Sequence, residues 1–433
     1  MRPGAQIRAA IEVLEEVLNR HRPATDALSD WGRGHRFAGS GDRAAIGNLV
    51  FDVLRRRRSL AAQMGEDTAR VLALAAAPEA LGLSPAEVVG AAADPASPHS
   101  VGAITEGEQA ALARSLSEDV PAAVRGDFPD WLSPSLERAF GPAAAAEGAA
   151  LARRAPTDLR VNTLKADRAK VLKALSRYAP VETPLSPVGV RLLPPAGSRR
   201  SPNVEAEVAH GRGWYEVQDE GSQIAGRMAG VAPRHQVLDI CAGAGGKTLA
   251  FAAAMQNTGQ VYAYDDDAQR LRPIVERLKR AGARNVQVLQ AGDGEALVLL
   301  GARFDVVFID APCSGTGAWR RRPDAKWRLK PANVEQRGEQ QRAILDVAAP
   351  LTKPGGRLVY VTCSVLPEEN EDQAAWFTAN HPAFRVLPWR PLWEAGVGGE
   401  PPASAIPGEH GLLLTPARHG TDGFFIAAFE RQS

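Results

Sequence analysis

The sequence predicts an α/β protein whose open, mostly parallel sheet follows a helical region and a small α+β module. From about residue 233, five short runs rich in Val, Ile and Tyr alternate with helical stretches. Over the first 125 residues, apolar side chains instead recur at helical spacing, and residues 126–232 mix helical and strand-like runs. We therefore expect three domains, at residues 1–125, 126–232 and 233–433.

The composition is that of an ordinary globular protein. Of 433 residues, 45% are hydrophobic and 23% charged, with 51 basic and 50 acidic side chains. A net charge of +1 excludes a uniformly cationic DNA-coating protein but not a local basic patch. Three cysteines predict neither a disulfide framework nor a metal site, and no apolar run is long enough for a membrane span. We expect a cytoplasmic monomer.

Two apolar faces support the helical region. The first consists of Ile7, Ile11, Leu14 and Leu18. The second consists of Ile46, Leu49, Val50, Val53 and Leu54. A glycine-rich turn at 39–42 is predicted to precede the second helix, and the run 55–58 of four arginines is predicted to close it. That run is either a solvated helix end, where cations meet the helix dipole, or a contact for RNA phosphates.

The middle region has the pattern of a small α+β module. FPDWLSPSLERAFG predicts a helix that Gly141 and Pro142 stop. Strand-like runs follow at 159–165, 188–193 and 214–217, with a helix ending near residue 178 between the first two.

The predicted parallel sheet consists of QVLDI, QVYAYD, VQVLQ, FDVVFID and RLVYVT. Sheets of this kind bind ligands beyond the carboxyl ends of their strands, so the residues after each run are the candidate site.

A glycine-rich turn follows the first strand, at Asp239–Thr248. GKT resembles the tail of a P-loop, but Cys241 stands where that motif needs glycine, so the P-loop interpretation fails. Nucleoside-type binding or a purely structural turn remains. Asp265, at the end of the second strand, is expected to hold ribose hydroxyls, although it could also belong to a solvated helix start. Asp293, after the third strand, is placed to meet another edge of the ligand.

Two cysteines follow the last two strands. Cys313 comes just after Asp310, and Cys363 just after Thr362. A single such cysteine is most often buried and inert, but two at equivalent positions indicate one reactive cleft. The segment 318–330 that follows contains six basic residues and two tryptophans, which favours unpaired RNA bases and phosphates over a solvated loop.

These motifs resemble the RsmB/Nop/NSUN family of RNA 5-methylcytosine methyltransferases, which use S-adenosylmethionine. The resemblance rests on CAGAGGKT, AYDDDAQRL, DAPCSGTG, RRRPDAKWR, TCSVLPEENE and TDGFFIA, and extends upstream to LRVNTLK and WYEVQDEGSQ. GSGDRAAIGNLVFDVLRRRRSL resembles the NusB-like helical domain of the bacterial RsmB branch. The resemblance implies a class I methyltransferase Rossmann-like sheet, preceded by an α+β RNA-binding module and a NusB-like RNA-binding domain.

The resemblance also implies roles for individual residues. Cys363 would be the nucleophile, Cys313 would assist breakdown of the covalent adduct, and Asp310 would hydrogen-bond the target base near the cofactor. The implied cofactor residues are Cys241, Ala242, Gly243, Ala244, Gly245, Gly246, Lys247, Asp265 for the ribose, Arg270, Asp293 for the adenine side, and Asp310. The implied RNA-binding residues are Arg160, Asn162, Arg320, Arg321, Arg322 and Lys326.

The expected activity is methylation of 16S ribosomal RNA at carbon 5 of cytosine, and three alternatives stay open. The substrate could instead be 23S ribosomal RNA or tRNA. A DNA cytosine methyltransferase would use Cys313, because a Pro-Cys thiol is the nucleophile of that group. A non-catalytic RNA-binding assembly factor would retain the cofactor fold without the reaction.

Overall fold

The structure, a computed structural model, describes residues 1–97, 99–117 and 119–433. Up to residue 155 its regular elements are helices. They are α1 (Pro3–Arg20), α2 (Ala24–Gly34), α3 (Ser40–Arg55), α4 (Arg57–Met64), α5 (Ala69–Leu81), α6 (Pro85–Ala92), α7 (Glu106–Leu112), α8 (Ala122–Arg125), α9 (Ser133–Phe140) and α10 (Ala144–Leu151).

Strands and helices alternate in the following segment. They are β1 (Thr157–Val161), α11 (Arg168–Ala174), β2 (Val181–Glu182), β3 (Gly189–Leu192), α12 (Val208–Gly211), β4 (Tyr215–Val217) and α13 (Glu220–Met228).

The remaining elements build the large sheet and its covering helices. They are β5 (Gln236–Asp239), α14 (Gly246–Ala254), β6 (Gln260–Ala263), α15 (Ala268–Leu271), α16 (Ile274–Ala281), β7 (Val286–Val288), α17 (Gly294–Val298), β8 (Phe304–Asp310), α18 (Pro323–Arg328), α19 (Pro331–Ala348), β9 (Thr352–Thr362), α20 (Glu371–Asn380), β10 (Phe384–Leu387), α21 (Trp389–Gly396), β11 (Leu412–Leu414), α22 (Pro416–His419) and β12 (Phe424–Arg431).

The chain forms two compact units. The helical unit comprises Met1–Ala155, Pro194–Pro202 and Trp319–Leu329. Its core is built by the apolar faces of α1, α3 and α5, and it includes both faces that the sequence predicts. Trp327, from the separate segment that contains α18, packs against this core. The sheet unit comprises Pro156–Leu193, Asn203–Ala318 and Lys330–Ser433.

Two sheets form the sheet unit. The smaller is antiparallel, with the order β2-β3-β1-β4. The larger has the order β10-β12-β9-β8-β5-β6-β7, with β11 paired to β12. Strands β9, β8, β5, β6 and β7 are parallel neighbours, whereas β12 runs antiparallel to β9. The predicted mixed α/β fold with a mostly parallel sheet is therefore confirmed.

The core of the large sheet explains why these strands read as continuous apolar runs. Both faces of a parallel sheet are covered by helices, so its strands bury side chains on both sides. Val237, Phe308 and Val359 from three neighbouring strands share one core. Phe251 of α14 packs edge to face on Phe308, with ring centroids 5.0 Å apart. This packing fixes α14, and hence the turn that precedes it, against the centre of the sheet.

The structure corrects several details of the sequence analysis. The predicted turn at 39–42 is already helical from Ser40, because Asp42 accepts the N–H of Gly39 and caps α3. Helix α2 and the antiparallel strands β10, β11 and β12 are not among the elements predicted from the sequence. The arginine run is paired with acids: Arg56 lies 2.9 Å from Glu79, and Arg57 lies 2.8 Å from Asp67.

The helices in the described part of the chain include none that is both long enough and apolar enough to cross a membrane.

Candidate active site

Two cysteines face each other beyond the carboxyl ends of β8 and β9. These strands are parallel neighbours, with Asp310 opposite Val361. Beyond them, the N–H of Gly317 donates to the carbonyl of Cys363 (2.9 Å) and ties the two following loops together. The sulfur atoms of Cys313 and Cys363 lie 3.4 Å apart, which is hydrogen-bond distance and well beyond a disulfide bond of about 2.05 Å. The structure thus brings the two predicted cysteines together as free thiols.

The Cys313 thiol is strongly biased toward its protonated form. The hydrogen bond with Cys363, followed by burial, raises the pKa of Cys313 well above its ordinary value. Cys241, the third cysteine, lies apart in the glycine-rich turn, and burial raises its pKa in the same direction. A buried thiol that keeps its proton can donate a hydrogen bond but is a poor nucleophile.

A buried glutamate holds the loop that carries Cys313. The carboxylate of Glu369 accepts the backbone N–H of Ser314 (2.7 Å) and the hydroxyl of the same residue. The amide of Gln341 on α19 donates to Glu369 (3.3 Å) and to the carbonyl of Pro312 (3.0 Å). Burial raises the pKa of Glu369, while these hydrogen bonds oppose that rise. The loop is therefore fixed from both sides of the cysteine.

Lys247 and Asp310 form an ion pair beside the cysteines. The buried Nζ of Lys247, at the start of α14, donates to Oδ2 of Asp310 (2.8 Å). Below them, the hydroxyl of Thr248 donates to Oδ2 of the fully buried Asp239 (2.6 Å). Burial raises the pKa of Asp239 to about 7. Its Oδ1 has no hydrogen-bond partner among the described residues.

The glycine-rich turn after β5 is tied to the end of β6. The carboxylate of Asp265 accepts the N–H of Gly243 (2.9 Å) and the N–H of Asp267 (3.0 Å), and Arg270 lies 3.6 Å away. Gly245 caps α14 at φ 85°, and a Cβ there would lie 2.6 Å from Ile274. Only glycine fits both the left-handed backbone and this close approach.

A cavity of about 740 Å³ opens beside this turn. It lies between the carboxyl ends of β5 and β6 and the loop after β8, where ligands bind in sheets of this topology. Its wall combines charged side chains with aliphatic ones. Its lining includes Cys241, Asp265, Asp266, Arg270, Leu297 and Pro312.

The lining suits a nucleoside joined to a small cationic group. Asp265 keeps unused lone pairs for ribose hydroxyls, and Leu297 and Val298 offer an apolar wall for a base. Asp293 caps α17 by accepting the N–H of Ala296 (2.9 Å). Its neighbours Gly294 and Glu295 line the cavity, so Asp293 is adjacent to it rather than part of its wall.

The predicted RNA-binding residues Arg160 and Asn162 lie inside the sheet unit. The guanidinium of Arg160 donates to the carbonyl of Gly246 (2.7 Å), and burial lowers its pKa to about 10. The amide of Asn162 donates to the carbonyls of Gly213 and Ala281 (2.8 Å each). Both side chains are therefore engaged in holding the protein backbone, and this burial does not support direct contact with RNA.

The basic segment divides into buried and exposed residues. Lys326 is buried in the helical unit, where its Nζ donates to the carbonyl of Arg55 (2.9 Å), and burial lowers its pKa to about 8. Arg320 is also buried. Arg321 and Arg322 are exposed, and they stay the candidates for RNA contact in this segment.

Two participants in the site were not predicted from the sequence, namely Glu369 and Gln341. Glu369 appears in the sequence motifs only as a letter of TCSVLPEENE, and Gln341 belongs to none of them. Neither has a local sequence signal, because each acts through burial against a distant loop.

Two family models match this sequence. One, described as 16S rRNA methyltransferase RsmB/F, matches residues 230–430, and the other, described as an RsmF/B-like ferredoxin-like domain, matches residues 128–197. The chain is 33% identical over 313 residues to "Probable ribosomal RNA small subunit methyltransferase B" of Synechocystis. The alignment covers 70% of this chain and 67% of that protein. The chain spans about two thirds of the length of the curated relatives it matches.

Solved structures show the same fold. PH0851 aligns with 100% of this chain and 99% of its own, with 25% identity and a TM-score of 0.74. NSun6 from Pyrococcus horikoshii, crystallised with SFG, aligns with 71% of this chain and 99% of its own, with 22% identity and a TM-score of 0.62. The second likeness bears on the fold alone.

Proposed function

Because this chain belongs to the 16S rRNA methyltransferase RsmB/F family, we propose that it methylates carbon 5 of a cytosine in 16S ribosomal RNA. The family uses S-adenosylmethionine, which supplies an electrophilic methyl group on a sulfonium. The single observation that supports cytosine C5 chemistry is the pair of thiols 3.4 Å apart beside the cofactor cavity. Carbon 5 of cytosine is too weak a nucleophile to react unaided, so a residue must activate the ring.

Cys363 supplies that activation in our proposal. Its thiolate adds to carbon 6, and the electron pair of the C5–C6 double bond moves into the ring to give an enamine whose carbon 5 is nucleophilic. Carbon 5 then takes the methyl group, and a base removes the proton of carbon 5. The electrons of that C–H bond restore the double bond and expel the Cys363 thiolate.

The environment of Cys313 suits the second half of this sequence. Its raised pKa disfavours it as the attacking thiolate, so it is suited to donate a hydrogen bond to the Cys363 sulfur. Because a thiol that keeps its proton cannot act as a base, we assign removal of the carbon 5 proton to a water that Cys313 orients, which passes the proton to solvent. Release of the product would then depend on Cys313, whereas attack on the base would depend on Cys363.

Asp310 and Lys247 orient the base and the cofactor in this scheme. Asp310 is partly exposed despite its ion pair with Lys247, so its carboxyl group can hydrogen-bond the ring of a cytosine. Lys247 holds that carboxylate in place through the 2.8 Å ion pair. Asp265 takes the ribose hydroxyls, Glu295 lines the same cavity, and Asp293, next to that wall, lies on the adenine side.

We also propose that residues 1–125 and 126–232 bind RNA. The ferredoxin-like match at 128–197 supports an accessory domain in the second region. Two thiols at hydrogen-bond distance need a reducing compartment, which favours the cytoplasm.

The test is a methyl-transfer assay on purified small-subunit RNA. Isotopically labelled S-adenosylmethionine, followed by nuclease digestion and mass spectrometry, should yield labelled 5-methylcytidine with the native chain and none with Cys363→Ala. Parallel reactions with 23S RNA, tRNA and duplex DNA decide the substrate class. Label on another atom of the base, or on DNA alone, would contradict the proposal.

A further inference from the structure

A second cavity of about 480 Å³ lies at the opposite edge of the large sheet from the two cysteines. Its wall includes Val231 and Ala232, just before β5, and Arg357 in the first half of β9. Ala253 and Ala254, at the far end of α14, close another side. The cysteines follow the carboxyl ends of β8 and β9, and neither of them belongs to the wall of this cavity.

Three arginines line this cavity, namely Arg160, Arg227 and Arg357. No carboxylate belongs to its wall among the residues that the structure describes. Burial lowers the pKa of each guanidinium, yet an arginine keeps its charge in a folded protein. The cavity is therefore a concentrated positive site inside the sheet unit.

Acidic side chains partly compensate the positive charges of two of these three arginines. Glu216 acts on Arg160, and Glu430 acts on Arg357, whose guanidinium also donates to the carbonyl of Ala229 (3.2 Å). Arg227 differs, since burial is the sole influence on its pKa and its Nε is buried with no hydrogen-bond partner in the described chain. A half-buried charge without a partner is costly, and its usual resolution is a bound anion.

Small residues leave space in front of these cations. Gly226, Gly230 and Ala250 contribute little more than backbone to the wall. The volume exceeds that of a single oxyanion and is of the order of a nucleotide. Arginine guanidinium groups bind phosphate oxygens through two parallel hydrogen bonds. These hydrogen bonds are stronger where the site is partly buried and contains no competing carboxylate.

We propose that this cavity is a binding site for a phosphate group, held by Arg227 and Arg357, while the guanidinium of Arg160 stays bonded to the carbonyl of Gly246. The phosphate belongs either to the backbone of an RNA strand or to a free nucleotide. The site is separate from the active site, so it stands whether or not the chain methylates cytosine.

Calorimetry with inorganic phosphate and with adenosine monophosphate tests the site on the full chain. The native chain should bind, and Arg227→Gln should weaken binding at least about tenfold. Arg227→Lys keeps the positive charge but cannot form two parallel hydrogen bonds, so its phosphate affinity should lie between those of the native chain and Arg227→Gln. The matched control is Arg284→Gln, because Arg284 is exposed and outside the wall of this cavity. Equal affinity in Arg227→Gln and Arg284→Gln would overturn the proposal.

Thermal unfolding separates a ligand site from a merely structural arginine. Phosphate should raise the melting temperature of the native chain in proportion to the logarithm of its concentration, and Arg227→Gln should lose this response. In phosphate-free buffer, Arg227→Gln should melt at or above the native temperature, because it removes an uncompensated charge. A lower melting temperature together with an unchanged phosphate response would assign Arg227 a packing role and refute the site.

The source of the phosphate follows from RNA binding measured against salt. If an RNA strand occupies the site, Arg227→Gln should lower the slope of log affinity against log salt by about one. If a free nucleotide occupies it, the slope stays native while adenosine monophosphate binding is lost. Either result supports a phosphate site, and methyl transfer measured separately reports on the active site alone.

Discussion

The carboxylate of Glu369 accepts both the backbone N–H and the hydroxyl of Ser314, the residue that follows Cys313. Glu369 is fully buried, and the hydroxyl of Tyr360 on β9 donates to its carbonyl oxygen (2.7 Å). One buried side chain thus joins the loop after β8 to the segment after β9. We therefore expect the separation of the two sulfur atoms to depend on this connection.

Glu369→Gln should slow methylation without unfolding the protein. The amide has nearly the same volume but retains only one acceptor oxygen, so one of the two hydrogen bonds from Ser314 is lost. We expect kcat to fall between about 10- and 100-fold with little change in KM for RNA, because misplacing a reacting group by a fraction of an ångström has such effects. Glu394→Gln, an exposed carboxylate on α21, is the control. Equal losses in both variants would remove the positioning role.

Substitution of the two cysteines should cause different failures. Cys363→Ala removes the nucleophile, so methylation should drop by at least about 10³-fold and no adduct should form. Cys313→Ala keeps the nucleophile but impairs release, so methylated RNA should stay attached to Cys363 as a slow, denaturant-resistant band on a gel. The double variant should lack this band. A band in Cys363→Ala instead would reverse the assignment and favour a mechanism that uses Cys313.

Asp265→Asn should weaken binding of S-adenosylmethionine by about 10- to 100-fold, as expected when charge-assisted hydrogen bonds to two hydroxyls become neutral ones. Calorimetry measures this directly. Asp267→Asn is the matched control, because Asp267 caps α15 from an exposed position outside the cavity wall. Native affinity in Asp265→Asn would move the ribose contact to another side chain.

Asp239 should make the stability of the fold depend on pH. Burial raises its pKa in the folded state from about 3.8 to about 7. Its contribution is therefore complete below about pH 4 and is lost as the pH rises through 7. A pKa change of this size corresponds to roughly 4 kcal/mol at most.

Asp239→Asn should remove that dependence, because the amide does not ionise. Urea denaturation at pH 5 and at pH 8 gives the free energy of unfolding at each pH. The decrease in this free energy from pH 5 to pH 8 measures the pH dependence. The native chain should lose more stability over this interval than the variant does. Identical falls would mean that Asp239 is already ionised at pH 5.

RNA affinity should depend on Arg321 and Arg322 but not on Lys326. Changing both exposed arginines to glutamine should lower the slope of log affinity against log salt by about two, because each phosphate contact contributes about one. Lys326→Met serves as the control, since its ammonium is buried against the carbonyl of Arg55. If the slope of log affinity against log salt changes only in Lys326→Met, then Lys326 contacts RNA, as predicted from the sequence, and the two exposed arginines do not.

The large sheet and the position of the site could be predicted from sequence because both follow from local patterns. Short β-branched runs mark the parallel strands, and the residues directly after them necessarily lie at one edge. Cys313 and Cys363 meet for this reason. Antiparallel β12 was not assigned as a strand, although FFIA had been noticed as a motif, because its role depends on pairing with the distant β9.

Burial of charged side chains was the part that the sequence did not reveal. Arg320 and Lys326 belong to a segment with an RNA-binding pattern, because charge and aromatic spacing are the same for a solvated and a buried segment. Their burial is set by partners far away in the chain, such as the carbonyl of Arg55, 271 residues before Lys326. The role of Glu369 could not be predicted for the same reason, because the donors to its carboxylate lie on α19 and in the loop after β8.

The helical unit is assembled from three stretches of chain, and the last of them, Trp319–Leu329, lies far downstream of the others. A ribosome synthesises the chain from the N-terminus, so the first helices emerge long before α18. Until α18 is made, part of their apolar surface stays uncovered. Trp327 reaches that surface only after β5, β6, β7 and β8 have also been made. Synthesis of the two units is thereby interleaved, and a fragment ending before residue 319 would leave uncovered the part of the helical core on which Trp327 packs.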